Sequence, residues 1–466
     1  MLSVPKVRAG ESGFAALNVL RAWAIVIVVL VHAIIPYMPA PVPDILWGIR
    51  DRSTHPSYGV LFWALVLLPM QVFFFSAGFF SAKKLEILGT RAFIGDRARR
   101  ILVPFLAGTL VILPLVYYAW SYGWYISGRC TLREIILAEF IDPEISRNLA
   151  GPAHLWFLEY LFLISAAYPF LGKWKPSQRV LKVVAAFPLL LAVPTAVILC
   201  INHDAAVARF NTFWPLLSRL VNFGYFFLAG ALIRRFPYLL KKIQEKGVLC
   251  FAVSAPALAV TILFIDRSLA GEISLADRSV LACATALYVW SVLLGGIALA
   301  LRWVKRQSAP SRYLSDASFS IYLVHLPVVG FIQDALYGFA LPAWVKLFVA
   351  FFGTLFLTLL FHQTTRIPDY LLGLRRLGNF SHVQKITLSF ALTVFIFTVG
   401  ATYQFLYNLE KARYTEIISG YYRKYFDREP DPVGVNHWTM IALNKWGLER
   451  VEKVIFIEGA GKRAPQ

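Results

Sequence analysis

The 466-residue chain is 58% hydrophobic and only 15% charged, with a mean hydropathy of +0.62. Soluble globular chains run at ~45–50% apolar and ~25% charged, so a wholly soluble architecture is excluded. The formal charge of +20 sits mostly between apolar runs, which makes it an orientation signal and argues against nucleic-acid binding.

In chain order, eleven apolar stretches are long enough to cross a bilayer as helices: about 15–36, 59–82, 101–121, 153–171, 183–201, 213–233, 248–266, 279–301, 318–337, 342–363 and 386–406. The first is too long for a signal peptide and holds an internal arginine. Barrel-type alternation is absent. The expected fold is therefore all-α, a polytopic transmembrane helical bundle of about eleven helices. With the N-terminus cytoplasmic, lysine and arginine gather on the inner side, as in 83–100 and 234–246, and are sparse outside. An odd number of spans puts the tail outside. Two domains are expected: a membrane body, 1–406, and a small helical extracytoplasmic domain, 407–466, with turn chemistry at 428–434. The outer segments 37–58 and 122–152 are rich in Pro, Gly, Trp and Tyr and are suited to rim a cavity. Cys130, Cys200, Cys250 and Cys283 lack metal-ligand spacing; Cys130 and Cys200 both fall toward the outer side, where a disulfide and free thiols are both open.

Arg21 and His32 lie eleven residues apart in the first span, about three helical turns, so they share one side of the helix at a rise of roughly 16 Å. Ionisable groups at that depth are costly and by default mark a functional site. A neutral imidazole is suited to take a hydroxyl proton as general base or to carry an acyl group itself. Arg97, Arg99 and Arg100 form a basic cluster at the entrance to the third span, able to bind phosphates bidentately or to serve as ordinary positive-inside charge. Glu159 and Arg219 stand at matched depth in two spans and suggest an opposed pair, either holding helices together or lining a substrate cavity. His154 reads as an interfacial residue. In 313–327, Ser315 or Asp316 is suited to cap the helix and Pro327 to kink it. Tyr322 and His325 lie three apart on one face of it, as a structural pair or as cavity lining. Gly78 suits close helix packing.

Several of these segments resemble the acyltransferase-3 family of membrane O-acyltransferases. The run Leu17-Asn18-Val19-Leu20-Arg21-Ala22 through His32 matches that family's first helix, Arg97 and Arg100 its arginine pair, and Phe73–Gly78, His154–Glu159 and Tyr313–Pro327 further segments in the same order. The likeness covers about 14–365. Asn18 stands where Asp is common, and Ala77 where Ser usually precedes the Gly. Arg21-Ala22-Trp23 and His154-Leu-Trp-Phe-Leu-Glu159 resemble the branch acting on periplasmic glucans. The tail resembles a small bacterial surface-protein domain of unknown function through Tyr421-Tyr422, Arg428–Gly434 and His437-Trp438.

The resemblance implies a transferase moving an acetyl or succinyl group from cytoplasmic acyl-coenzyme A, a co-substrate, to a hydroxyl of an extracytoplasmic carbohydrate. The setting it implies is a bacterial inner membrane, with membrane lipid as the other partner and no metal or tightly bound cofactor. The assigned roles are His32 and Arg21 in catalysis, Arg97 and Arg100 on the donor's phosphates, and Glu159, Arg219, Tyr322 and His325 in the substrate cavity. A transporter or flippase for a glycan or lipid-linked intermediate is the alternative, although neither inverted repeats nor paired broken helices are evident.

Overall fold

The computed structural model describes residues 9–40, 45–171, 176–202, 211–269, 273–304, 307–365, 411–429, 431–442 and 448–453. The described residues are mostly helical, and none of them is in a strand. In chain order the helices are α1 (Ala9–Ile34), α2 (Pro56–Val66), α3 (Pro69–Arg97), α4 (Val103–Ile126), α5 (Leu132–Leu137), α6 (Pro143–Asn148), α7 (Trp156–Leu171), α8 (Gln178–Ala186), α9 (Ala192–Asn202), α10 (Leu217–Arg235), α11 (Pro237–Phe251), α12 (Ser254–Leu269), α13 (Leu275–Trp303), α14 (Ala309–Tyr337) and α15 (Ala343–Thr365). Three more follow: 411–426, Pro432–Ile441 and Leu448–Val451.

Among the described residues, six helical stretches are long and apolar enough to cross a membrane, or up to eight if each of two bent pairs is one span. Ten of the eleven expected spans fall on described helices, and fewer pass as separate straight apolar helices for local reasons. Pro56–Ile126 is a single 71-residue helical run containing two expected spans; Gly89 at φ +72° breaks its path, and a π-helical turn occupies Ala98–Leu102. The expected span 183–201 bends by 117° between Ala186 and Pro188. Proline has no N–H to continue a helix and restricts the residue before it, here Phe187 at φ −133°, ψ 78°. The span expected at 248–266 bends by 55° between Phe251 and Ser254. Arg219, Asn222, Arg234 and Arg235 keep α10 out of the apolar set. The stretch 386–406 lies outside the described residues. One cap also differs: α14 starts at Ala309, where the Ser308 oxygen accepts the Ser311 N–H at 3.3 Å, two turns before Ser315, and the helix continues through Pro327.

The chain divides into two compact units, one formed by 1–123 with 148–377, the other by 124–147 with 378–466. In the first, α3 and α10 pack backbone to backbone. A Cβ on Gly78 would lie 1.8 Å from the Phe227 carbonyl oxygen, and one on Gly230 1.9 Å from that of Phe75, so only glycine fits at either position. Around this seam Phe74 stacks on Phe223 with centroids 4.7 Å apart, and Phe226 on Trp290 at 4.8 Å. After α1 the chain forms a strap. The Asp51 N–H bonds the Pro36 carbonyl, the His55 N–H bonds that of Tyr37, and the Ser53 hydroxyl accepts the Ala343 N–H. Lys346 of α15 meets the Asp51 carboxylate at 2.7 Å, both side chains almost fully buried. The strap thereby becomes a fixed wall.

In the second unit, Tyr414, Ile418 and Tyr422 recur every four residues along 411–426 and bury one face against Val435 and Val451. Asp431 caps the helix Pro432–Ile441 by accepting the Gly434 N–H at 2.6 Å. In 124–147 the Thr131 hydroxyl accepts the Glu134 N–H while the Glu134 carboxylate accepts that of Thr131, a reciprocal cap. Arg129 bridges Asp142 and Glu144 at 2.7 and 2.9 Å. All four cysteines are free.

Candidate active site

A cavity of about 250 Å³ opens inside the first unit, and three imidazoles line it: His32, His154 and His325. Each is oriented by a carbonyl. His32 Nδ1 lies 2.8 Å from the Val28 oxygen, one helical turn back. A carbonyl only accepts, so this nitrogen carries the proton, and in the neutral ring Nε2 keeps the lone pair. His325 Nδ1 donates in the same way to Tyr322 O at 2.7 Å and Ile321 O at 3.1 Å, and His154 Nε2 to Leu323 O at 3.0 Å. The His325 ring centroid lies 5.0 Å from that of His32 and 5.2 Å from that of His154. The free nitrogens of His154 and His325 are buried without a hydrogen-bond partner. Of the three residues His32 is half-buried, while His154 and His325 are buried.

The wall around His32 comes from distant segments. Trp47, on the strap, stacks on the imidazole at 5.7 Å with ring planes 19° apart. Its indole N–H donates to Gln333 Oε1 at 3.0 Å. The Gln333 amide in turn donates to the His32 and Ala33 carbonyls at 3.1 and 3.2 Å. Four residues on from His32 stands Pro36, which has no N–H to give the His32 carbonyl. One carboxamide therefore ties α1, the strap and α14 together behind the imidazole.

On the opposite wall Arg219 is buried, its guanidinium 5.9 Å from the Trp156 ring. Glu159 is within electrostatic reach of it but does not line the cavity. Tyr322 lines the cavity and donates its hydroxyl proton to the His154 carbonyl. Asn211 clamps the approach to His154: it accepts from Ala153 N–H at 2.9 Å and donates to Tyr117 Oη and the Asn148 carbonyl, each at 2.9 Å. His154, expected at the interface, is thus a buried wall residue. Trp47, Gln333 and Asn211 were not singled out from sequence, since nothing in their spacing marks them.

The remaining candidates lie elsewhere. Arg21 approaches Ser318 Oγ at 3.5 Å and the Phe80 ring at 5.8 Å, and is not part of the cavity wall. Arg97 and Arg100 both bind Asp96, the latter at 2.9 Å, and Lys84 joins them at 2.7 Å. Three cations on one carboxylate leave an excess of positive charge. Arg99, beside them, is exposed. No group of three or more His, Cys, Asp or Glu among the described residues is arranged to hold a metal ion.

The architecture is that of a multi-pass helical membrane protein with a mostly apolar chamber into which three histidines face. A family model for an acyltransferase domain matches residues 14–363, three quarters of the chain, and the protein belongs to that family, acyltransferase-3. It is therefore an acyltransferase working on groups other than aminoacyl. No curated protein and no solved structure matches it.

Proposed function

We propose that the protein moves an acyl group, acetyl or succinyl, from cytoplasmic acyl-coenzyme A to a hydroxyl of an extracytoplasmic glycan, from a bacterial inner membrane with its tail outside. The carrying observation is the His32 ring, held by Val28 and stacked on Trp47, with its lone pair free on a cavity wall. In this scheme the acceptor hydroxyl gives its proton to His32 Nε2 as its oxygen attacks the thioester carbonyl. The carbon–sulfur bond then breaks, and the imidazolium returns the proton to the leaving thiolate. Arg97 and Arg100 hold the donor's phosphates, exchanging part of their contact with Asp96 for phosphate oxygens. Arg21 supplies a cation between that cluster and the imidazole. Trp47, Trp120 and Trp156 offer flat apolar faces to sugar rings, and Arg219 with Tyr322 and His325 shapes the acceptor side.

Purified protein in lipid nanodiscs, given radiolabelled acetyl- or succinyl-coenzyme A and a neutral glucan, tests this. The expected result is label on the glucan, with His32→Ala slower by roughly 10²–10⁴-fold, the span of a lost general base. His32→Gln should also be inactive while melting like the parent. Full transfer by His32→Ala would remove the catalytic assignment; no consumption of any acyl-coenzyme A would remove the whole scheme.

A further inference from the structure

A second, smaller pocket of about 120 Å³ lies beside α1 and shares two wall residues, Pro69 and Gln71, with the histidine chamber. On α1 it is lined by Leu20, Ala24 and Ile27. These positions are spaced four and three apart on one helical face, a rise of ~10 Å that starts beside Arg21 and stops five residues short of His32. Val292 and Gly296 of α13 close the other side. Gln71 is the one polar side chain in its wall, and no charged group lines it. Its size is close to that of an engineered apolar cavity of ~150 Å³ that admits benzene, so it takes a handful of carbons.

We infer that this pocket receives the aliphatic part of the donor's acyl group, and that the protein prefers short uncharged acyl chains over dicarboxylic ones. The inference rests on the reading of His32 as the acyl-transfer centre. A thioester carbonyl at His32 has two arms. The sulfur arm runs toward the cytoplasmic cations, and the carbon arm turns through the Pro69–Gln71 junction into the side pocket. Butanoyl and succinyl groups have the same four carbons and differ in ending with a methyl or a carboxylate. An ionised carboxylate finds only the Gln71 amide as a donor in this wall and no cation, and burying its charge there is strongly unfavourable. Each buried methylene, by contrast, favours binding about four-fold.

The floor of the pocket provides the test. A Cβ on Gly296 would approach Leu20 Cδ2 at 3.3 Å, so a longer side chain there grows into the space. The parent, Gly296→Leu and Leu20→Ala are compared in nanodiscs with acetyl-, butanoyl-, octanoyl- and succinyl-coenzyme A. In the parent, butanoyl should exceed acetyl about fifteen-fold in kcat/KM, from two methylenes, and exceed succinyl by more. Gly296→Leu should keep acetyl transfer within two-fold, which shows it folds, and lose at least five-fold with butanoyl. Leu20→Ala should raise octanoyl relative to butanoyl. Succinyl used as well as or better than butanoyl would overturn the inference. So would a butanoyl-to-acetyl ratio that neither variant moves, the outcome expected if the pocket, edged by the 61% exposed Trp23, instead holds a membrane lipid tail. In both of those outcomes acetyl transfer remains and the acyltransferase reading stands; absence of transfer from every donor removes that reading and this inference with it.

Discussion

Gln333 braces the ring proposed as the general base. It spends its acceptor on Trp47 and its donors on the last carbonyls of α1, so it sets both the stacking partner and the backbone beneath His32. Gln333→Leu removes three hydrogen bonds, one from the Trp47 indole and two to the His32 and Ala33 carbonyls, at about 0.5–1.5 kcal/mol for each. The expected phenotype is transfer slowed at least ten-fold at saturating donor, with His32 still present. Gln333→Glu keeps the acceptor for Trp47 and loses the donors, so it should recover indole order without recovering rate. Tryptophan fluorescence beside kcat separates the two effects, and equal kcat in parent and Gln333→Leu would show the tie to be incidental. The Asp51–Lys346 pair works on the same wall from farther away. Lys346→Met strands a buried carboxylate, and removing one partner of such a pair costs about 3–5 kcal/mol. Asp51→Asn added to Lys346→Met should regain most of the lost melting temperature; a double variant as unstable as the single would show that the charge was not the cause.

At the scale of helices, the α3–α10 seam makes the sharpest stability prediction. Gly78→Ala and Gly230→Ala each drive a methyl into a carbonyl oxygen under 2 Å away, so the helices must separate, opening the packing of Phe74 on Phe223. Overpacking of this kind costs ~1–3 kcal/mol or more. Gly95, on the same α3, has nothing within 4 Å of its added Cβ. Gly95→Ala should therefore be neutral or stabilising by ~0.5–1 kcal/mol, as alanine favours helix over glycine. Thermal unfolding in detergent distinguishes them, and similar melting for all three would contradict the seam. The helices show how far sequence reaches. The long apolar runs that became α1, α13, α14 and α15 are visible because their composition is uniform. The bent pair at Ala186–Pro188 reads as one continuous span, since apolarity is unbroken across a backbone that turns by 117°. α10 carries Arg219 and a basic end, and burial among neighbours rather than hydropathy accounts for its place. His32 is legible because an ionisable group in an apolar run stands out. Trp47 and Gln333, ordinary residues 286 positions apart, come together only through the fold.

The whole molecule faces two aqueous phases by the proposed scheme, and α1 is the element that links them, with Arg21 toward one end and His32 toward the other. The basic cluster at 97–100 and the strap after α1 should then be reachable from opposite sides, as positive-inside orientation requires. Arg99 and Thr54 are both exposed and make no contact used by the site. In a background with the four native cysteines replaced by serine or alanine, Thr54→Cys should react in intact cells with a membrane-impermeant maleimide. Arg99→Cys should react only in inverted vesicles or after permeabilisation. The same preparation examines the segment 124–147. There Glu134, despite its partial burial, is held below the usual carboxylate range by the Ile141 and Thr131 N–H donors and the Thr131 hydroxyl; Asp142 is likewise lowered, by Arg129 and two backbone N–H groups. A carboxylate whose folded value is depressed contributes stability that is full above its ordinary value and is lost as pH falls through the folded one. Amide exchange across 129–146 should therefore be slow near neutrality and, after correction for intrinsic rates, accelerate below about pH 4, where these ordinary carboxylates begin to bind protons. Thr131→Ala, which removes a reciprocal cap worth ~1 kcal/mol, should loosen the segment at neutral pH already. Protection that stayed constant from neutrality down to pH 3 would mean that neither Glu134 nor Asp142 holds the segment in place.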